Sequence, residues 1–210
     1  MNAGGVLMKL SEMEKLTQHC NLYFEQTDPL VLHPIVDVGL HIDVLIYKPN
    51  EKYPFWKLVT AGAGDYKMPA VPNALGLHNE YMMFVASDVD LTEKEVLTWY
   101  YNKLLLVATF AYYNKTHISY AHSFQWKNED PDDEMIAAFL EFPQILATAA
   151  SVRCKVGMFK TLVCLQVVLL NQQDLNRLME LGPQEFSNYL YPEDGSRPHF
   201  LSERHRSESF

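Results

Sequence analysis

The order of apolar segments predicts an α+β fold: a single domain in which a mixed, largely antiparallel β-sheet packs against helices. Three observations carry this. Strand-like runs come first, then one long helical segment, then more strands and C-terminal helices, without the βαβα alternation of a doubly wound fold. TLVCLQVVLL (161–170) is a strong strand signal, rich in branched aliphatic residues. A chain of 210 residues with 48% hydrophobic content can build one sizeable core and is short for two.

Lys9 to Tyr23 reads as the first helix, with Ser11, Glu12 and Glu14 near its start and Leu10, Met13, Leu16, Cys20 and Tyr23 close to helical spacing. Asp28-Pro29 closes it. A strand at about 39–48 places His41, Asp43, Leu45 and Tyr47 on one face and Leu40, Ile42, Val44 and Ile46 on the other. Pro49 to Lys52 breaks it, and FWKLVT begins a second strand at about 55–61. Gly62 and Gly64 follow, two residues free to take positive φ. Tyr66 to Asn79, with Pro69, Pro72 and Gly76, is a loop, and EYMMFVA (80–86) is a third apolar run of strand length.

Thr92 and Glu95 have capping-box spacing and predict a long helix to about Asn114, roughly 30 Å at 1.5 Å per residue. Ile118 to Trp126 alternates as a strand, and Met135 to Phe142 fits a strand or a short helix. Cys154 to Gly157 and Thr161 to Leu170 make a hairpin around Met158-Phe159-Lys160. Asn171 can cap the next helix with Asp174 at its third position; Gly182 ends it, and Pro183 opens another through Leu190. The domain therefore reads as an N-terminal helical segment (1–29), a body (30–191) and a flexible tail (192–210).

The 17 basic and 26 acidic residues give a net charge of −9, which disfavours nucleic acid and anionic membrane surfaces as partners. Acid gathers at Glu129, Asp130, Asp132, Asp133 and Glu134, either a solvated loop or a docking patch for a basic partner. Cys20, Cys154 and Cys164 are odd in number and form no C-x-x-C pair, so a reducing cytoplasm and an absence of disulfides are expected. No secretory signal is visible, and Met8 is a possible alternative start. The apolar segment 96–113 contains Asn102 and Lys103 and is expected to be a buried helix and not a membrane span.

HIDVLIYKP, FWKLVTAGAGDYKMP and EYMMFVAS occur in that succession, and with them the chain resembles the Suppressor of fused domain family in its bacterial form. In that family a strand bearing a His and an acid precedes an LVT-x-G-x-[GS]-D segment and a Met, and an acidic residue then opens an apolar strand. The matching positions are His41, Asp43, Leu58, Val59, Thr60, Gly62, Gly64, Asp65, Met68 and Glu80, with Gly64 where many members carry Ser. The similarity runs from about Leu30 to Leu190. It implies a strand at 135–142 and a protein-binding role. Animal members bind transcription factors of the Hedgehog pathway, and bacterial members are regarded as immunity proteins that neutralise polymorphic toxins.

The sequence has no H-E-x-x-H, G-x-S-x-G, phosphate-loop or G-x-G-x-x-G motif. His41 and Asp43 point the same way on a strand and can share a proton or a metal ion, but two ligands fall short of the three that a catalytic zinc takes, so no metal and no cofactor are expected. Asp65 fits an Asx-turn. The partner-binding candidates are His41, Asp43, Tyr53, Trp56, Thr60, Gly62, Gly64, Asp65, Tyr66, Met68, Asp130, Asp132 and Asp133; Tyr53, Phe55, Trp56 and Tyr66 would supply aromatic anchors. Two functions stay open: a protein that binds a partner such as a basic toxin domain, and a small enzyme centred on His41, Asp43 and Asp65.

Overall fold

The computed structural model describes residues 8–34, 39–128, 130–146, 148–193 and 198–205. In chain order they form α1 (Leu10–Phe24), β1 (Leu30–Leu32), β2 (Asp43–Tyr47), β3 (Phe55–Ala61), β4 (Asn79–Ala86), α2 (Lys94–Asn114), β5 (Ser123–Gln125), β6 (Ala137–Glu141), β7 (Arg153–Lys155), β8 (Thr161–Leu170) and α3 (Gln172–Leu190). The strands make one sheet in the order β1-β2-β3-β4-β8-β6-β5, with β7 paired to the start of β8. All pairings are antiparallel except β4 with β8, which run parallel at the centre of the sheet. The expected α+β architecture is what the chain adopts.

Helices cover both faces, so the central strands carry apolar side chains on both sides. α1 and α3 bring Leu16, Cys20, Phe24, Leu175, Phe186 and Leu190 to a core that includes Leu45, Tyr47, Val59 and Phe84. On the opposite face α2 brings Tyr100, Leu104, Val107 and Ala111 against Val44, Ile46, Leu58, Met83 and Val85. The alternation in β2 divides its residues between the two cores as read from the sequence. Every residue of β4 is buried, which explains why YMMFVA (81–86) reads as a continuous apolar run, with the polar Asn79 and Glu80 buried ahead of it.

The caps differ in how they form. The Asn171 side chain accepts the Asp174 N–H at 2.9 Å, as expected for the start of α3. Gly182, at φ 76°, breaks that helix before Pro183. The Thr92 capping box does not form, because the Thr92 amide and hydroxyl both donate to Asp90 Oδ1, at 2.8 and 2.6 Å. α2 begins two residues later behind Glu93 and has no side-chain cap.

Two further expectations are corrected. Only Ser123–Gln125 of the 118–126 run is a strand, since the backbone turns at Ala121, φ 63°. The flexible tail is not seen at 198–205: Phe200 and Leu201 are buried, and the Ser202 amide donates to Phe84 O at 2.7 Å beside a parallel bridge to Val85. Phe200 finds an aromatic recess formed by Phe55, Phe84 and Tyr191, which outweighs the polar composition around it. Residues 1–7, 194–197 and 206–210 lie outside the described residues, as does Glu129 of the acidic run. Among the described residues no helix is long and apolar enough to cross a membrane.

Candidate functional site

β1 was not anticipated, and it changes the surroundings of the His41–Asp43 pair. β1 and β2 pair Leu30 with Ile46, Val31 with Leu45 and Leu32 with Val44, so one further step sets His33 opposite Asp43. His33 Nδ1 lies 2.9 Å and His41 Nε2 3.1 Å from the same oxygen, Asp43 Oδ1. Asp43 is 7% exposed, whereas the His33 side chain is 69% exposed, so the cluster opens outward at the edge of the sheet. The sequence-based count of two ligands at this point is thus corrected to three.

The glycine segment after β3 builds a second, closed cluster around Glu80. Thr60 Oγ1 donates to Glu80 Oε2 at 2.6 Å, and the Gly62 and Gly64 amides both donate to Oε1 at 2.9 Å. Thr60 Oγ1 also accepts the Tyr81 amide, which directs its own hydroxyl proton at the carboxylate. Gly62 is required by its φ of 127° and because a Cβ there would meet His41 O at 2.1 Å. Gly64 needs no positive φ; its Cβ would strike Leu162 Cδ2 at 2.5 Å. Burial pushes the Glu80 carboxyl up to about 7, against the opposing pull of the three donors.

Asp65 forms no Asx-turn with its side chain. Its Oδ1 instead takes Lys160 Nζ at 2.6 Å, and the same ammonium reaches Glu12 Oε2 at 2.8 Å, tying the glycine segment to α1 and to the β7–β8 hairpin. Among the described residues no hydrogen bond joins Asp65 to His41 or Asp43, so the enzyme reading loses its third member.

The aromatic candidates do not form one surface. Tyr53 and Phe55 are buried, and Lys57, itself fully buried, lies over both rings and donates to Lys48 O at 2.6 Å. Burial lowers Lys57 to about 8. Tyr66 meets Tyr112 edge to face, with Lys115 over both rings. Met68 and Thr60 are buried. Trp56 donates to Val89 O at 3.0 Å and lines a groove of about 690 Å³ with Leu30, Ile46, Lys48, Leu91 and Leu97.

The acidic run is divided. Asp130, Asp132 and Glu134 are exposed. Asp133 is committed inward: its Oδ2 lies 2.6 Å from Lys103 Nζ and accepts Trp99 Nε1 at 3.3 Å, while Lys103 also donates to Met135 O at 3.0 Å. Lys103 and Lys57 went unremarked as structural charges; a lone lysine within an apolar run was the available signal. Cys20, Cys154 and Cys164 are buried free thiols, and burial raises all three above the ordinary range.

The model of the family described as Suppressor of fused protein (SUFU) matches residues 39–200, a span that contains the Thr60–Gly64 segment and Glu80. The chain belongs to the Suppressor of fused family. Members of this family act as protein-interacting modules. Among solved structures, the Sufu chain of a Sufu-Fu complex is similar at TM-score 0.65 and 14% identity, over 93% of this chain and 91% of that one. A putative SUFU homologue from Neisseria gonorrhoeae gives 0.64 and 10%, over 95% and 97%. Drosophila Suppressor of Fused gives 0.61 and 14%, over 86% of this chain and 46% of the longer fly chain. Among curated proteins, none matches the sequence. In this chain the glycine motif at 58–65 delivers a hydroxyl and two amides to Glu80.

Proposed function

We propose that this Suppressor of fused domain is a bacterial immunity protein of the cytoplasm, which neutralises a cognate toxin by direct binding and has no enzymatic role. The observation that carries the reading is the fold's likeness, over nine-tenths of both chains, to a Sufu chain solved with its protein partner Fu. Likeness to the Neisseria homologue over nearly its full length supports the bacterial form. The −9 charge suits a basic partner, and it opposes nucleic acid or an anionic membrane as one.

Within the acidic run, the exposed Asp130 and Asp132 are the groups placed to steer association, while Asp133 holds Lys103 and Glu134 lies 3.8 Å from His205 Nδ1. Trp56 and its groove offer an apolar anchor on a different part of the surface. Co-expression with the toxin-like products of neighbouring genes tests the assignment. The expected result is a one-to-one complex in which toxicity is lost; failure to bind or protect against any of them overturns it. In stopped-flow measurements, Asp130→Asn with Asp132→Asn should slow association and weaken its salt dependence, with dissociation little changed. An association rate indifferent to both rejects the steering role.

A further inference from the structure

We infer that His33, His41 and Asp43 form a binding site for a divalent transition cation of the Zn²⁺ class. This is independent of the immunity assignment and revises the expectation of a metal-free protein.

The donor set is the first argument. Two imidazoles and one carboxylate suit zinc and its first-row neighbours, and three protein ligands leave at least one position for water or another ligand. Spacing is the second. Two donors each about 2.1 Å from a metal and separated by 90–110° stand roughly 3.0–3.4 Å apart. The two His-to-Asp43 separations are 2.9 and 3.1 Å, and all three ligand atoms lie within 4.8 Å of one another. The third pair, the two imidazole nitrogens, is held only within that 4.8 Å, so a cation draws the exposed His33 ring inward toward His41.

Backbone placement is the third argument. Asp43 is the first residue of β2, His41 stands two residues before it and His33 follows directly on β1, so the paired strand ends fix the carboxylate and bring both imidazoles to it. The environment is the fourth. Asp43 is buried, and among the described residues no lysine or arginine pairs with it; its carboxylate is met by ring nitrogens of His33 and His41, which a cation could bridge to it. The exposed imidazole of His33 leaves an entry path from solvent.

The test uses the full chain, stripped with chelator and titrated with Zn²⁺ by calorimetry, with Co²⁺ as a spectroscopic probe. One Zn²⁺ per chain is expected, with a melting temperature that rises with Zn²⁺ concentration, as binding to the folded state requires. His33→Ala lies at the exposed sheet edge and should fold normally, yet bind Zn²⁺ more than about tenfold more weakly; His41→Ala should do the same. Both should lose the visible Co²⁺ bands, while His122→Ala, an exposed histidine elsewhere, should keep them. Absence of saturable one-to-one binding in the wild-type chain overturns the proposal, as does binding that survives both His33→Ala and His41→Ala unchanged.

Discussion

Glu80 and Asp43 stand on β4 and β2, with only β3 between them, and both are buried carboxylates reached by several donors. Their donors differ in kind. Glu80 receives one hydroxyl and two backbone amides, placed by a glycine turn that cannot relax without moving β3. Asp43 receives two imidazoles at the open end of the sheet. A carboxylate satisfied by backbone is fixed in its role, because its partners neither titrate nor leave. One satisfied by histidines at an edge can exchange them for something else. Within one sheet, burial alone therefore does not separate structure from function; the chemistry and mobility of the donors do.

The largest expected effect is Glu80→Ala, which strands two amides and a hydroxyl in the interior and should cost about 3–5 kcal/mol in denaturant unfolding. Glu80→Gln keeps an oxygen for both amides and should cost only ~1–2 kcal/mol. Equal losses would mean that shape, and not hydrogen bonding, is what Glu80 supplies.

Next comes pH. With Glu80 raised from 4.5 to about 7, the folded state holds a proton across that interval that the unfolded chain releases, so stability should fall as pH rises from about 4.5 to about 7. The loss is up to ~3 kcal/mol at about 1.4 kcal/mol per unit. Glu80→Gln should flatten this part of a pH series of unfolding curves; an unchanged slope would assign it to another group.

Asp133 is intermediate, bound by a lysine and an indole at the boundary of the core. Asp133→Ala should cost ~2 kcal/mol by leaving Lys103 partly unpaired, whereas Asp130→Asn and Asp132→Asn should stay within ~0.5 kcal/mol. Asp43→Asn in chelator-treated protein should cost about 1 kcal/mol, less than Asp133→Ala, since an amide oxygen can still face the two imidazoles that meet Oδ1. A loss as large as that of Glu80→Ala would collapse the distinction between the two carboxylates.

What could be read in advance followed the range of the interaction. α1, the end of α2, the cap of α3 and the long strand β8 are local, and periodicity with Asn171 and Gly182 revealed them. β1 is three residues, Leu30–Leu32, shortly after one proline and shortly before another, with no period of its own; only pairing with β2 makes it a strand, and His33 stayed hidden with it. Glu80 and the glycine segment were picked out through the family resemblance, but their relationship was not, because an acid 16–20 residues from its donors leaves no local pattern. The same holds for Asp133 and Lys103, which sit on opposite sides of a long connection.

The parallel pairing of β4 with β8 has a kinetic consequence. It joins residues 79–83 to residues 163–167, while α2, β5, β6 and β7 all lie in the chain between them. The first four strands can zip as successive antiparallel neighbours soon after they are made. The exposed edge of β4, with its run of Tyr, Met, Phe and Val, then waits for a partner that is synthesised about eighty residues later. Closure of so long a loop should make docking of β8 slower than the local antiparallel pairings. A chain stopped before Thr161 would present an unpaired apolar strand at the open edge of its sheet, and self-association would compete with folding for that edge.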